Sequence, residues 1–199
     1  GVVDTGVDLK HEDLAPSIMD AVSFVPNVRS AQDDNGHGTH VCGIIGARKN
    51  GVGVVGVAPG CELYVAKAFD KDGNSNFPAI LKSIDWLIKK RVHIINMSFS
   101  SQTGTSNYEQ ILQKAHDYGI TLVCASLSGT SMATPIIAGA AAILNGKGLR
   151  RYRRYLTPDE IRFCLHMYAE DISKRGWDKN YGYGLFSFGR FEKSEYITL

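Results

Sequence analysis

The chain has 199 residues, 44% hydrophobic and 21% charged, with a formal net charge of +2 at pH 7. That is the composition of an ordinary soluble globular chain, long enough to bury a sizeable core in one domain spanning residues 1–199. It excludes a transmembrane helix, because no apolar run approaches the roughly 20 residues that a bilayer requires, and so small a net charge gives no argument for a nucleic-acid partner.

The first apolar run ends at Asp4, within "VVDTGVD", and no signal peptide is read ahead of it. "DDNGHGTHVCGIIGA" follows, with His37 at a turn that opens a helix of small and apolar residues. "ELYVAKAF" (residues 62–69) predicts a strand, and "DKDGNSN" a turn. The next run sets Ile80, Leu81, Ile84, Leu87 and Ile88 on one helical face, with Pro78 placed to open the helix. "VHIINMSF" (92–99) predicts a short strand buried on both faces. Tyr108, Ile111, Leu112 and Ala115 then return to helical spacing, and Gly119 supplies the stop. "ITLVCA" (120–125) predicts another strand, followed within a few residues by Ser131 at the mouth of the helix "SMATPIIAGAAAIL". Thr157, Pro158 and Glu160 form a capping-box pattern at the start of a last helix. The basic run Arg150-Arg151-Tyr152-Arg153-Arg154 reads as a solvated helix extension. Cys42, Cys61, Cys124 and Cys164 lack metal-type spacing, and each lies in an apolar run where a thiol passes as a small core residue.

Strands alternating with helices predict an α/β fold, a parallel sheet with helices on its faces. Ligands of such sheets bind outside the carboxyl ends of the strands. Asp4, His37 and Ser131 all fall where strands end and helices begin. A serine hydroxyl needs a base to remove its proton, histidine supplies one, and a carboxylate fixes the imidazole tautomer. His40, close behind His37, reads as a buried structural residue, because no third metal ligand accompanies the pair.

"DTGVD", "NGHGTHVCGIIGA" and "SGTSMATPIIAG" resemble the three signature segments of the subtilisin-like serine proteases (subtilases, peptidase S8), in that family's Asp, His, Ser order. "NGVGVVGVAPGCELYVAKAF", "HIINMSF" and "GWDKNYGYGLFSF" are similar to its framework, so the likeness covers most of the chain. The resemblance implies a subtilisin-like sheet flanked by helices on both faces. It makes Asp4 the orienting carboxylate, His37 the general base and acid, and Ser131 the nucleophile of a serine endopeptidase that works through an acyl-enzyme. It places a polypeptide substrate against two extended segments, Gly73-Asn74-Ser75 and Ser98-Phe99-Ser100, with Phe77 walling an apolar pocket. It also implies a structural calcium, held by Asp13, Asn50 and the backbone carbonyls of Arg48, Val52 and Val54. No organic cofactor is expected. An extracellular location and a pro-segment outside this chain follow from the same likeness.

The chain departs from the family after "ITLVCA". Relatives continue into a segment of the form A-A-G-N, whose Asn donates to the oxyanion, and then into further strands. Here Ala125, Ser126 and Leu127 run straight into Ser128 and the "GTS" motif, so an internal deletion is expected near residues 126–128. At the front, only Gly1 to Val3 precede Asp4, a stub of a central strand. The alternative expectation is therefore a catalytically impaired remnant or peptide-binding pseudoenzyme without the oxyanion Asn. A small-molecule esterase using the same three residues stands third.

Overall fold

β1 (Val2–Asp4) is buried along its whole length. It is the middle strand of a five-stranded sheet ordered β2 (Ile18–Ser23), β3 (Leu63–Lys67), β1, β4 (Ile94–Met97), β5 (Thr121–Cys124), with every pairing parallel. This computed structural model describes residues 1–99, 106–125, 129–173, 175–180 and 182–189. The chain divides into two compact units, Gly1–Ala142 and Ile143–Leu199.

In the first unit the twofold alternation of a strand sorts the core into two layers. Val2 joins Val7, Val41, Cys42, Ile45, Leu63 and Val65 in one apolar cluster, with α1 (His37–Gly46) on that face. Val3 joins Ile80, Ile84, Leu87, Ile88, Ile95, Met97 and Ala115 in the other, where α2 (Phe77–Lys89) and α3 (Ser106–Asp117) pack. Helices therefore cover both faces, as the alternation of elements predicts. The start of α2 is set by Asn76, whose side chain accepts from Ala79 N at 2.9 Å, with Pro78 in the first turn. Gly119, at φ 76°, ends the α3 segment. β2 escaped the sequence reading because it is an edge strand of half-buried residues, with exposed Met19 and an irregular register between Ile18 and Asp20.

The unit boundary falls inside α4 (Ala133–Tyr152). In the second unit α5 (Pro158–Met167) opens with the predicted capping box: Thr157 Oγ1 accepts from Glu160 N, and Glu160 accepts from Thr157 N. A two-stranded antiparallel pair, β6 (Ala169–Glu170) and β7 (Leu185–Phe186), follows. The basic run is only partly a helix extension. α4 stops at Tyr152, Arg153 turns left-handed at φ 58°, and Arg154 makes a bidentate ion pair with Glu160 at 2.7 and 2.6 Å. The cysteines are free thiols, and the core reading fails for Cys124, which is exposed at the end of β5. Among the described residues no helix is long and apolar enough to cross a membrane.

Candidate active site

Asp4 ends β1 at the carboxyl edge of the sheet and is 2% exposed. Its Oδ1 accepts from Thr5 N at 2.7 Å and faces His37 Nδ1 at 2.7 Å. An ionised carboxylate can only accept, so the proton of the neutral ring sits on Nδ1 and Nε2 keeps a lone pair. That is the tautomer a general base requires. Hydrogen bonding to Asp4 raises the His37 pKa above its ordinary value; burial opposes this, and the charges of Asp4 and Asp33 add to the rise.

The loop before α1 is built around Asp33, which the sequence reading did not single out. Its Oδ1 accepts from Thr5 Oγ1, Asn35 N and Gly36 N, and its Oδ2 from Thr39 N and Thr39 Oγ1, all within 3.1 Å. Burial alone would raise this carboxyl, but the Thr39 hydroxyl and the Gly36, Thr39 and Asn35 N–H groups outweigh it and bring the pKa down to about 2. Thr5 Oγ1 in turn accepts from Gly38 N at 2.9 Å, which ties the first turn of α1 to β1. That approach needs glycine: a Cβ on Gly38 would stand 2.1 Å from the Gly6 carbonyl oxygen.

Ser131 lines a cavity of about 290 Å³ together with Asp4 and His37. It sits in a 3₁₀ turn, Thr130–Met132, one turn ahead of α4, with Gly129 before it at φ 94°. The sequence had placed it at the helix mouth itself. Of the predicted substrate contacts, Gly73, Ser98 and Phe99 line the same cavity. Asn74, Ser75 and Phe77 are not on its wall. Ser75 Oγ donates to Ala68 O at 2.6 Å, and Phe77 packs edge-on against Tyr108 at 5.7 Å. The aromatic wall is Phe69, its ring tilted against that of Phe99 with centroids 5.0 Å apart. Its place at the carboxyl end of the "ELYVAKAF" run was the signal that would have found it. Ser100, and the 126–128 junction with Ser126 and Ser128, lie outside the described residues. His40 overturns its reading: it is exposed and lines a separate cavity of about 650 Å³ with Leu14, Ile44 and Val55.

Asp13 is 1% exposed, as a ligand residue would be, but its oxygens are already engaged. Oδ1 accepts from Asn50 Nδ2 at 2.9 Å and Oδ2 from Val54 N at 3.2 Å, while Asn50 Oδ1 accepts from Val52 N at 3.1 Å. These hydrogen bonds, led by that from Asn50, hold the Asp13 carboxyl below the usual range. Turning the Asn50 oxygen toward Asp13 would break two of them. The set as arranged, with one carboxylate and the loop carbonyls of Arg48, Val52 and Val54, does not fit calcium. Among the described residues no three His, Cys, Asp or Glu side chains cluster to hold a metal.

The Subtilase family (peptidase S8) profile matches residues 1–126 and 125–184. The chain belongs to this family. Relatives of this subtilase include a thermostable alkaline protease of Halalkalibacterium halodurans, 33% identical over 248 residues, covering 95% of the chain. The minor extracellular protease Epr of Bacillus subtilis is 42% identical over 125 residues, 63% of the chain. Subtilisin BL of Lederbergia lenta is 41% identical over 135 residues, 68% of the chain. The chain spans 66%, 19% and 48% of the lengths of these three proteins.

Proposed function

We propose that this subtilase is a serine endopeptidase in which Ser131 is the nucleophile, His37 the general base and acid, and Asp4 the group that orients the imidazole. The observation that carries the reading is the 2.7 Å contact of Asp4 with His37 Nδ1, with Ser131 on the wall of the same cavity. His37 Nε2 takes the Ser131 proton as Oγ attacks the scissile carbonyl, and returns it to the leaving amine as the acyl-enzyme forms. Asp4 stabilises the imidazolium in between. Gly73, Ser98 and Phe99 border the space where an extended peptide would lie, and Phe69 with Phe99 offers it an apolar surface. Both compact units are read as parts of one peptidase domain, which the family match running through residues 1–184 supports. An extracellular site of action follows by analogy with the extracellular relative.

A second reading, an impaired subtilase, is favoured by one specific observation. No Asn occurs between Thr121 and Ser131, so the side-chain oxyanion donor has no candidate on the β5 side. An internal deletion there is supported by the family match breaking at 125–126 and by an alignment of 248 residues to a chain of 199. One missing oxyanion donor costs about 10²–10³-fold in turnover and leaves acylation chemistry in place. Fluorophosphonate labelling of the folded chain, located by mass, together with turnover of a peptide substrate, separates the readings. An adduct at Ser131 that His37→Ala abolishes, with measurable peptide turnover, supports the endopeptidase; an adduct without turnover, or no adduct on a folded chain, supports the impaired form. The calcium implied by the resemblance plays no part in either.

A further inference from the structure

Lys67 is the last residue of β3, opposite Asp4 in the β1–β3 register, and its side chain is 0% exposed. Taking an ammonium fully out of water is costly, and Lys is almost never buried without partners. The partners here are both parts of the site. Nζ donates to the Thr5 carbonyl at 2.5 Å and to Asp34 Oδ1 at 2.6 Å. Thr5 is the residue whose N–H grips Asp4 Oδ1, and whose hydroxyl receives the first turn of α1 through Gly38 N. Asp34 lies in the loop that Asp33 organises, three residues before His37. One buried cation thus holds the carbonyl beside the orienting carboxylate and the loop that carries the histidine. The chain is also pinned on the other side of Asp4, where Ala68 N donates to Asp4 O at 2.9 Å.

We propose that Lys67 is a positioning residue, clamping β1 to the Asp33–Gly36 loop so that Asp4 and His37 stay in register. The Asp34 side chain is 45% exposed, so the ion pair is a poor device for stability, and an apolar side chain would fill the Lys67 site at lower cost. What an apolar residue cannot do is hold Thr5 O and Asp34 at a fixed separation. The proposal rests on the Asp4–His37 assignment above, and its test is readable without turnover.

The test uses the full chain, its fold checked by circular dichroism, with Lys67→Met, Asp34→Asn and Asp34→Glu. The ¹⁵N shifts of the His37 ring nitrogens report the tautomer, and the fluorophosphonate rate reports alignment with Ser131. Lys67→Met and Asp34→Asn are expected to shift His37 from the Nδ1–H form toward a tautomer mixture and to slow labelling about 10- to 100-fold. Asp34→Glu, which keeps the charge at a half-exposed position, restores most of both. Folded variants with wild-type ring shifts overturn the proposal, and a lower melting temperature alone does not rescue it. If Lys67→Met fails to fold, Asp34→Asn decides. If the parent chain does not label, the endopeptidase reading fails, while the ring shifts still decide the role of Lys67.

Discussion

Asp4 and His37 are held from several sides at once: by each other, by Thr5, by the Asp33 loop, by the glycine contact at Gly38 and by Lys67. The Ser131 segment is held by its own turn and by Met132, which packs against the apolar cluster of Val2 and Val41. Ala133 N and Thr134 Oγ1 both return to the Thr130 carbonyl, and β5, the strand that precedes it in the chain, is an edge strand of the sheet. Asp4 and His37 share a hydrogen-bond network that spans two strands and a helix, whereas Ser131 sits on a single 3₁₀ turn ahead of α4. Mutations in the first half should therefore damage alignment over a distance, and those in the second should act at the serine alone.

The largest effect tests the second half. Ser131→Ala is expected to remove fluorophosphonate labelling below detection while leaving circular dichroism and the His37 ring shifts unchanged; an adduct that persists places the nucleophile elsewhere. Next is Asp4→Asn, an exchange of similar size that makes the wrong ring tautomer available. It should slow labelling by about 10⁴-fold. It should also bring the His37 pKa down toward the ordinary value of about 6.5, by removing the hydrogen bond and charge that raise it. An unchanged His37 titration would show that Asp4 does not orient the ring. Gly38→Ala probes the network at its tightest point. A Cβ 2.1 Å from Gly6 O must push α1 off β1, at a cost of about 1–3 kcal/mol in urea unfolding and about 10²-fold in labelling.

Much of the first half was legible in the sequence, and the reason is local. β1 is marked by an apolar run that ends in Asp4 at the carboxyl edge, α1 by a run of small and apolar residues that opens at His37, and "GHGTH" carries its glycine constraint in the string itself. Lys67 was not legible. Within "ELYVAKAF" it reads as an ordinary polar interruption, and only the β1–β3 register brings it beside Asp4. Asp33 and Asp34 are adjacent in sequence, yet one organises the helix start and the other meets Lys67, a division that no spacing rule predicts. Phe77 and Phe69 were confused for a similar reason. Both border the 70–76 turn, and which ring faces the cavity depends on how that turn folds back, with Phe69 bridged to Ser75. His40, expected to be a buried structural residue because no third metal ligand accompanies His37, is exposed on α1.

A smaller test sharpens the comparison through pH. The folded His37 pKa lies above its unfolded value, so the Asp4–His37 attraction contributes stability that is full below about pH 6.5 and is lost as pH rises through the raised folded pKa. Labelling runs the other way, because only neutral His37 accepts the serine proton. Its rate should climb about tenfold per pH unit and level off above the raised pKa, so the midpoint of the labelling profile should lie above 6.5. A midpoint at or below 6.5 would mean that the Asp4 contact is not made in solution.

The smallest effect concerns the Asp13 loop. With Asp13 taken up by Asn50 Nδ2 and Val54 N, the loop already has the hydrogen bonds that a cation would have to break. A ligand stabilises a fold only by binding the folded state, so calcium that finds no cage leaves the unfolding temperature where it was. Millimolar calcium or a chelator should each move the melting temperature by less than about 1 °C. A calcium-dependent rise of several degrees, lost in Asp13→Asn, would show that Asn50 turns its oxygen inward when the ion arrives. Asn50→Asp separates the two states further. It replaces the N–H donor with a second carboxylate, so it should destabilise the loop without calcium and, if a cage can form, make the loop respond to the ion.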